Sequence, residues 1–198
     1  MAEERRGKEE RETKETKVSV ELNLDGRGVA DIATGIGMLD HLLEQIARHG
    51  RIDITVRAQG DLQIDPHHTA EDVAICFGRA LKKALGQRKG IVRFGHAVVP
   101  LDEALALVAV DLSGRGYAAL DLVWTGEKVG ELPTDLVDHM LWSMATESQT
   151  TLHARILAGA SDHHKAEAVF KALARALGMA IRLDPQLQGE VPSTKGTL

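Results

Sequence analysis

Two five-residue blocks, His67-His68-Thr69-Ala70-Glu71 and His163-His164-Lys165-Ala166-Glu167, each set a glutamate four residues after a histidine. On a helix, positions i and i+4 share a face. His67 with Glu71, and His163 with Glu167, can therefore aim an imidazole and a carboxylate at one metal ion. His68 and His164 point about 100° away and would serve a different ion, or the same ion in another subunit. His41 and His139 lie at matched places in LDH and VDH triplets. Six histidines and two glutamates, divided evenly, give three imidazoles and one carboxylate at each of two ions. A six-coordinate ion held this way keeps positions open for water or substrate. Imidazole with carboxylate suits Mn, Fe, Ni or Zn, and composition does not choose among them. His96 and His153 lack ligand spacing and read as structural or surface groups. His49 ends a helix, where a cation suits the dipole.

The elements that carry these residues come as a repeat. VELNLDGRG (20–28) matches VAVDLSGRG (108–116), MLDHLLEQI (38–46) matches LVDHMLWSM (136–144), and HHTAEDVAICFGRAL (67–81) matches HHKAEAVFKALARAL (163–177), at separations of 88, 98 and 96 residues. Val18, Val20, Leu22 and Leu24 alternate as in a half-buried strand. Asp25 to Gly28 reads as a hairpin turn into a second strand over 29–33. Met38, Leu39, Leu42, Leu43 and Ile46 recur at helical spacing over 36–48. Ile52, Ile54 and Val56 alternate again, and Asp65-Pro66 opens a helix that runs to Leu85. The second copy predicts strands near 104–111 and 116–123, a helix over 134–147, a strand over 150–157 and a helix over 162–179, with a connecting strand over 91–99. The fold class is α+β: an internally duplicated β-β-α-β-α unit whose two halves pack as an α/β sandwich, helices on one face of each sheet. Residues 1–10, a mixed-charge run, are expected to form a solvated flexible arm. Residues 11–198 are expected to form one domain of two repeats (about 17–87 and 104–180) plus a C-terminal substrate-binding tail.

Composition narrows the function classes. The 198 residues are 43% apolar and only 3% aromatic, so the core must be built of Ala, Val, Leu and Ile. A net charge of −5 argues against a general nucleic-acid or membrane-surface binder. One cysteine, Cys76, excludes an internal disulfide framework and a thiolate zinc site, and its apolar neighbours make it a small core residue. No apolar run is long enough to span a membrane, and the first residues carry no signal-peptide pattern, so a cytoplasmic location is expected. There is no Walker A loop and no GxGxxG. Arg93, Arg115 and Lys171 are basic positions inside or between the repeats. Ser193-Thr194-Lys195 sets two hydroxyls beside an ammonium, a combination able to bind a phosphate.

From Arg11 to Lys195 the chain resembles imidazoleglycerol-phosphate dehydratases. The resemblance rests on RETKET, LDGRG, TGIGMLDHLLEQIARHG, DPHHTAEDVAICFGRAL, RFGHAVVPLDEALA, DLSGRGY, VDHMLWSMA, DHHKAEAVFKALARAL and PSTKG. It implies a ribosomal protein S5 domain 2-like duplicated fold and a homo-oligomer of 24 subunits, with two Mn²⁺ per active site built between subunits. The implied metal ligands are His41, His67, His68, Glu71, His139, His163, His164 and Glu167. The implied substrate contacts are Glu15, Gln45, His49, Arg93, Arg115, Lys171, Ser193 and Lys195, with Thr194 beside them. The implied reaction is loss of water from imidazoleglycerol phosphate to give imidazole acetol phosphate, a step of histidine biosynthesis. The proton removed is not next to a carbonyl, so the imidazole ring must serve as electron sink, as an imidazolate between the two metals. Glu15 is the candidate general acid/base, and His67, Glu71, His163 and Glu167 complete the expected catalytic set. The same ligands would also fit another di-metal hydrolase or a non-catalytic metal-binding assembly protein.

Overall fold

The computed structural model describes residues 5–196. Its elements run β1 (Arg6–Glu12), β2 (Thr16–Asn23), β3 (Ala30–Ala33), α1 (Gly37–Gly50), β4 (Asp53–Gly60), α2 (His67–Leu85), β5 (Phe94–Leu101), β6 (Ala104–Asp111), β7 (Tyr117–Asp121), β8 (Lys128–Val129), β9 (Leu132–Pro133), α3 (Thr134–Ser148), β10 (Thr151–Ala158) and α4 (Asp162–Ala180). A short 3-10 helix at Pro185–Leu187 opens the tail. Two four-stranded sheets share one topology, β1-β2-β4-β3 and β5-β6-β10-β7. The fold is α+β with an internal duplication.

Each sheet buries one face. Val18, Val20, Leu22, Ile54 and Val56 point inward from the first, and Ala106, Val108, Val110, Leu152 and Ala154 from the second. Helices α1 and α2 cover the first sheet, and α3 and α4 the second. The helices then pair across the halves, α1 with α4 and α2 with α3. This cross-pairing sets which histidines can meet.

The repeat is one strand longer than its sequence pattern. The expected arm at 1–10 is corrected from Arg6 onward: all of β1 pairs antiparallel with β2, from Arg6 opposite Asn23 to Glu12 opposite Lys17. Residues 1–4 lie outside the described residues. The strand expected at 91–99 is β5, shifted to Phe94–Leu101, and it holds the same edge of its sheet as β1. Both are the first strand of a β-β-β-α-β-α unit. Charge concealed β1. Its inward positions are Gly7, Glu9 and Arg11, and α2 neutralises the two charged ones. Glu9 pairs with Lys83 at 2.6 Å, and Arg11 with the largely buried Asp72 at 2.6 Å.

The expected hairpin at 25–28 is also corrected. Strand β4 lies between β2 and β3, and β3 runs parallel to it, Ala30 opposite Ile54. The loop wraps a carboxylate of the middle strand: Asp53 Oδ1 accepts the N–H of Arg27, Gly28 and Val29 at 2.8, 3.0 and 2.9 Å. Although burial opposes it, these bonds hold the Asp53 carboxyl below its ordinary range.

Gly7 and Gly95 occupy equivalent places where strand backbone meets helix backbone. A Cβ at Gly7 would overlap the Ala80 carbonyl, and one at Gly95 the Ala176 carbonyl. Gly95→Ala should therefore destabilise the chain by about 1–3 kcal/mol, read as a lowered thermal midpoint. An unchanged midpoint would refute so close an approach.

Candidate metal and active site

Helix α1 buries Leu39, Leu42, Leu43 and Ile46 and leaves His41 on its flank toward α4. Its first turn is held from the other half of the chain, where Glu131 Oε1 accepts the Met38 N–H at 2.9 Å. Asp40 accepts both the N–H and the hydroxyl of Thr34, at 3.0 and 2.6 Å. On α4, His163 and Glu167 are one turn apart. Glu167 Oε2 lies 3.5 Å from His41 Nε2 and 4.0 Å from His163 Nε2. The His41 and His163 rings stack with centroids 5.8 Å apart.

The second group repeats the arrangement with the halves exchanged. His67 and Glu71 come from α2 and His139 from α3, with His139 Nε2 2.8 Å from Glu71 Oε1 and the His67 and His139 rings 5.4 Å apart. In each triad, one ligand-type atom per residue lies within 4.8 Å of the others. Each triad thus joins the helix-start pair of one repeat to the single histidine of the other. Spacing alone does not give this pairing, which depends on how α1–α4 and α2–α3 dock.

His68 and His164 stand outside the triads. His68 Nδ1 lies 3.1 Å from Asp61 Oδ2 and 3.8 Å from Glu15 Oε2, and His164 Nδ1 lies 2.7 Å from Glu103 Oε2. Hydrogen bonds to these carboxylates, from Asp61 and Glu103 respectively, raise both imidazoles above their ordinary range. In return the His164 bond, joined by the Ser161 N–H, holds the Glu103 carboxyl at about 2. Sequence reasoning missed Asp61 and Glu103. The 88-residue separation that aligns the strands sets Glu103 opposite Glu15, which was a usable signal. Asp61 has no such counterpart.

Glu15 sits on the β1–β2 turn. Thr13 Oγ1 accepts the N–H of Glu15 and of Thr16, at 3.1 and 3.0 Å, and the Thr16 hydroxyl donates to buried Asp72 on α2. The turn is thereby pinned beside the start of α2. Gln45 donates to the His41 carbonyl at 3.2 Å, and Lys171 Nζ lies 2.8 Å from Glu167 Oε1. Burial lowers His49, and the charges of Lys171 and Arg175 lower it further. Against its own burial, Glu167 is held low by Lys171 and His41. Gln45 and His49 on α1 thus follow His41 along the α1–α4 seam, with Lys171 opposite.

The other basic residues lie apart. Arg93, at φ 76°, binds Asp111 through Nε at 2.7 Å and Nη2 at 3.1 Å, and its Nη1 donates to the Pro192 carbonyl at 2.8 Å. It fastens the start of the tail. Ser193 Oγ accepts the Lys195 N–H at 3.2 Å, and Thr194 lies between them. Among the described residues, no hydrogen bond, ion pair or ring contact joins Arg93, Arg115, Ser193, Thr194 or Lys195 to either triad. Cys76 is buried in the core, which pushes its thiol up to about 12. No described helix is long and apolar enough to cross a membrane.

A family model described as imidazoleglycerol-phosphate dehydratase matches residues 34–177. An imidazoleglycerol-phosphate dehydratase of Roseiflexus sp. (strain RS-1) is 57% identical over 189 residues, 96% of this chain and 95% of the relative. A chloroplastic one of Arabidopsis thaliana is 54% identical over 198 residues, 100% of this chain and 73% of the relative. The crystal structure of the Staphylococcus aureus N315 enzyme matches with a TM-score of 0.82 at 33% identity, covering 90% of this chain and 99% of that one. A Pyrococcus furiosus structure, in complex with (S)-C348, matches with a TM-score of 0.82 at 36% identity, covering 96% and 100%. Likeness of this extent, in sequence and in fold, reaches across both repeats and takes in the helices that carry both triads. The chain belongs to the imidazoleglycerol-phosphate dehydratase family, whose members are hydro-lyases.

Proposed function

We propose that this chain removes water from imidazoleglycerol phosphate to give imidazole acetol phosphate, in cytoplasmic histidine biosynthesis, with two divalent ions, Mn²⁺ by family likeness, as resident cofactors. The observation that carries the reading is the pair of mirrored triads. Two imidazoles and one carboxylate converge in each, with no thiolate nearby, a donor set suited to a borderline transition metal. His68 and His164, whose Nε2 atoms are turned away from their carboxylate partners, are the remaining ligands, offered to ions of neighbouring copies. Exposed Phe94, Val98, Tyr117 and Leu157 on the outer face of the second sheet support a homo-oligomer.

When bound, the ions act as Lewis acids on the imidazole ring and as a template that orients the substrate. The protein's side chains do the rest. Glu15 Oε takes the carbon-bound proton of the glycerol chain and returns a proton to the departing hydroxyl. At 56% exposure, and without a direct hydrogen bond to His68, it is free to do so. Glu71 and Glu167 are committed to the triads. Gln45, His49 and Lys171 line the seam where the glycerol phosphate lies. Arg93, Arg115, Ser193, Thr194 and Lys195 hold the phosphate, away from the ring-binding triads. Arg93 retains unused guanidinium N–H donors for that purpose.

Metal-stripped protein should not turn over imidazoleglycerol phosphate, and adding Mn²⁺ back should restore dehydration without phosphate release. Full activity in the stripped protein would overturn the proposal. Phosphate release in place of dehydration would instead indicate a hydrolase.

A further inference from the structure

His68 and His164 hold equivalent places in the two repeats, and each has its Nδ1 engaged by a carboxylate. The carboxylates do not come from equivalent places. Glu103 is in the β5–β6 turn, while Asp61 follows β4. The counterpart of Glu103 is Glu15, yet Glu15 stands 3.8 Å from His68 Nδ1, beyond hydrogen-bond reach, while Asp61 approaches to 3.1 Å. The same contact has been built twice from different chain positions. Simple inheritance through the duplication would have kept Glu15 in that place.

Glu103 is fixed independently of its histidine, and Asp61 is held by burial. Glu103 Oε1 accepts the N–H of Ser161 at 2.8 Å and of Ala160 at 3.2 Å, so it is tied to the start of α4 and only Oε2 reaches His164. The Asp61 side chain is only 12% exposed, against 56% for Glu15. On each histidine the other ring nitrogen has no hydrogen-bond partner among the described residues. The nearest acid to His164 Nε2, Asp102, is 4.0 Å away and 77% exposed. A carboxylate on one ring nitrogen places the proton there, sets the ring plane and leaves the opposite nitrogen as the donor atom.

We propose that Asp61 and Glu103 are positioning residues for the two ions: each locks its histidine with the proton on Nδ1 and presents Nε2 to the metal. Because Asp61 does this work in the first repeat, Glu15 is released from the role that Glu103 keeps in the second. The inference rests on the two-ion reading above.

The test is Mn²⁺ binding to metal-free protein, followed by calorimetry and by the electron paramagnetic resonance of free Mn²⁺, for the wild type, Asp61→Ala, Glu103→Ala and the conservative Asp61→Asn and Glu103→Gln. Each alanine variant should weaken one of the two ions by about 10–100-fold and leave the other unchanged. The Asn and Gln variants, which keep an acceptor for Nδ1–H, should recover part of that loss. They also serve as the readout if an alanine variant does not fold. Wild-type affinity in all four variants would overturn the positioning role, and so would equal weakening of both ions, the mark of a general structural loss. A wild type that takes up no Mn²⁺ would instead overturn the two-ion reading itself.

Discussion

His41→Ala and Glu167→Gln combined in one chain should lose little more activity than either change alone, whereas His41→Ala combined with His139→Ala should empty both ion sites. The first pair belongs to a single triad, Nε2 to Oε2 at 3.5 Å, although the residues are far apart in sequence. The second pair divides between the triads. Each single change should drop one ion per chain. A Lewis-acid contribution of several kcal/mol corresponds to turnover lower by about a thousandfold or more. Once the ion has gone, removing a second ligand of the same ion removes nothing further, so the effects within a triad should be strongly non-additive. Metal content by elemental analysis, with steady-state rates on the same samples, checks this. Additive losses for His41 with Glu167, or a retained ion in the His41 and His139 double variant, would contradict the pairing.

Glu15→Gln should lower turnover by about 10²–10⁴-fold and leave both ions bound. The substitution keeps size and polarity on a turn already fixed by Thr13, Thr16 and Asp72, so the fold has no reason to change. It removes only the ability to carry a proton. Retained metal combined with lost turnover separates Glu15 from Asp61, whose removal should act on metal affinity. An unchanged rate would clear Glu15 of proton transfer and require another group near His68.

The helices and their histidines were legible because a helix converts spacing into direction. His67 with Glu71 and His163 with Glu167 needed only the i, i+4 rule, and the buried stripe from Leu39 to Ile46 needed only its period. The strands were legible where one face is apolar, as at Val18–Leu22. They were hidden where charge meets charge, as in β1, whose inward residues Glu9 and Arg11 find partners on α2 that sequence does not place nearby. The insertion of β4 between β2 and β3 was not legible either. Local turn chemistry at Asp25–Gly28 suggested a hairpin, and the carboxylate that redirects the loop, Asp53, comes from a later strand. Docking between halves decides which histidine joins which glutamate, and the loop between β4 and α2 decides that Asp61 reaches His68.

Neither half of this chain holds a triad by itself. Each needs a helix-start His and Glu from one copy and a lone His from the other. A single unit of this kind could therefore gather a triad only across an interface with a second one. Because both units lie in one chain, the meeting of each helix-start pair with the other unit's lone histidine is intramolecular, and both triads form at any protein concentration.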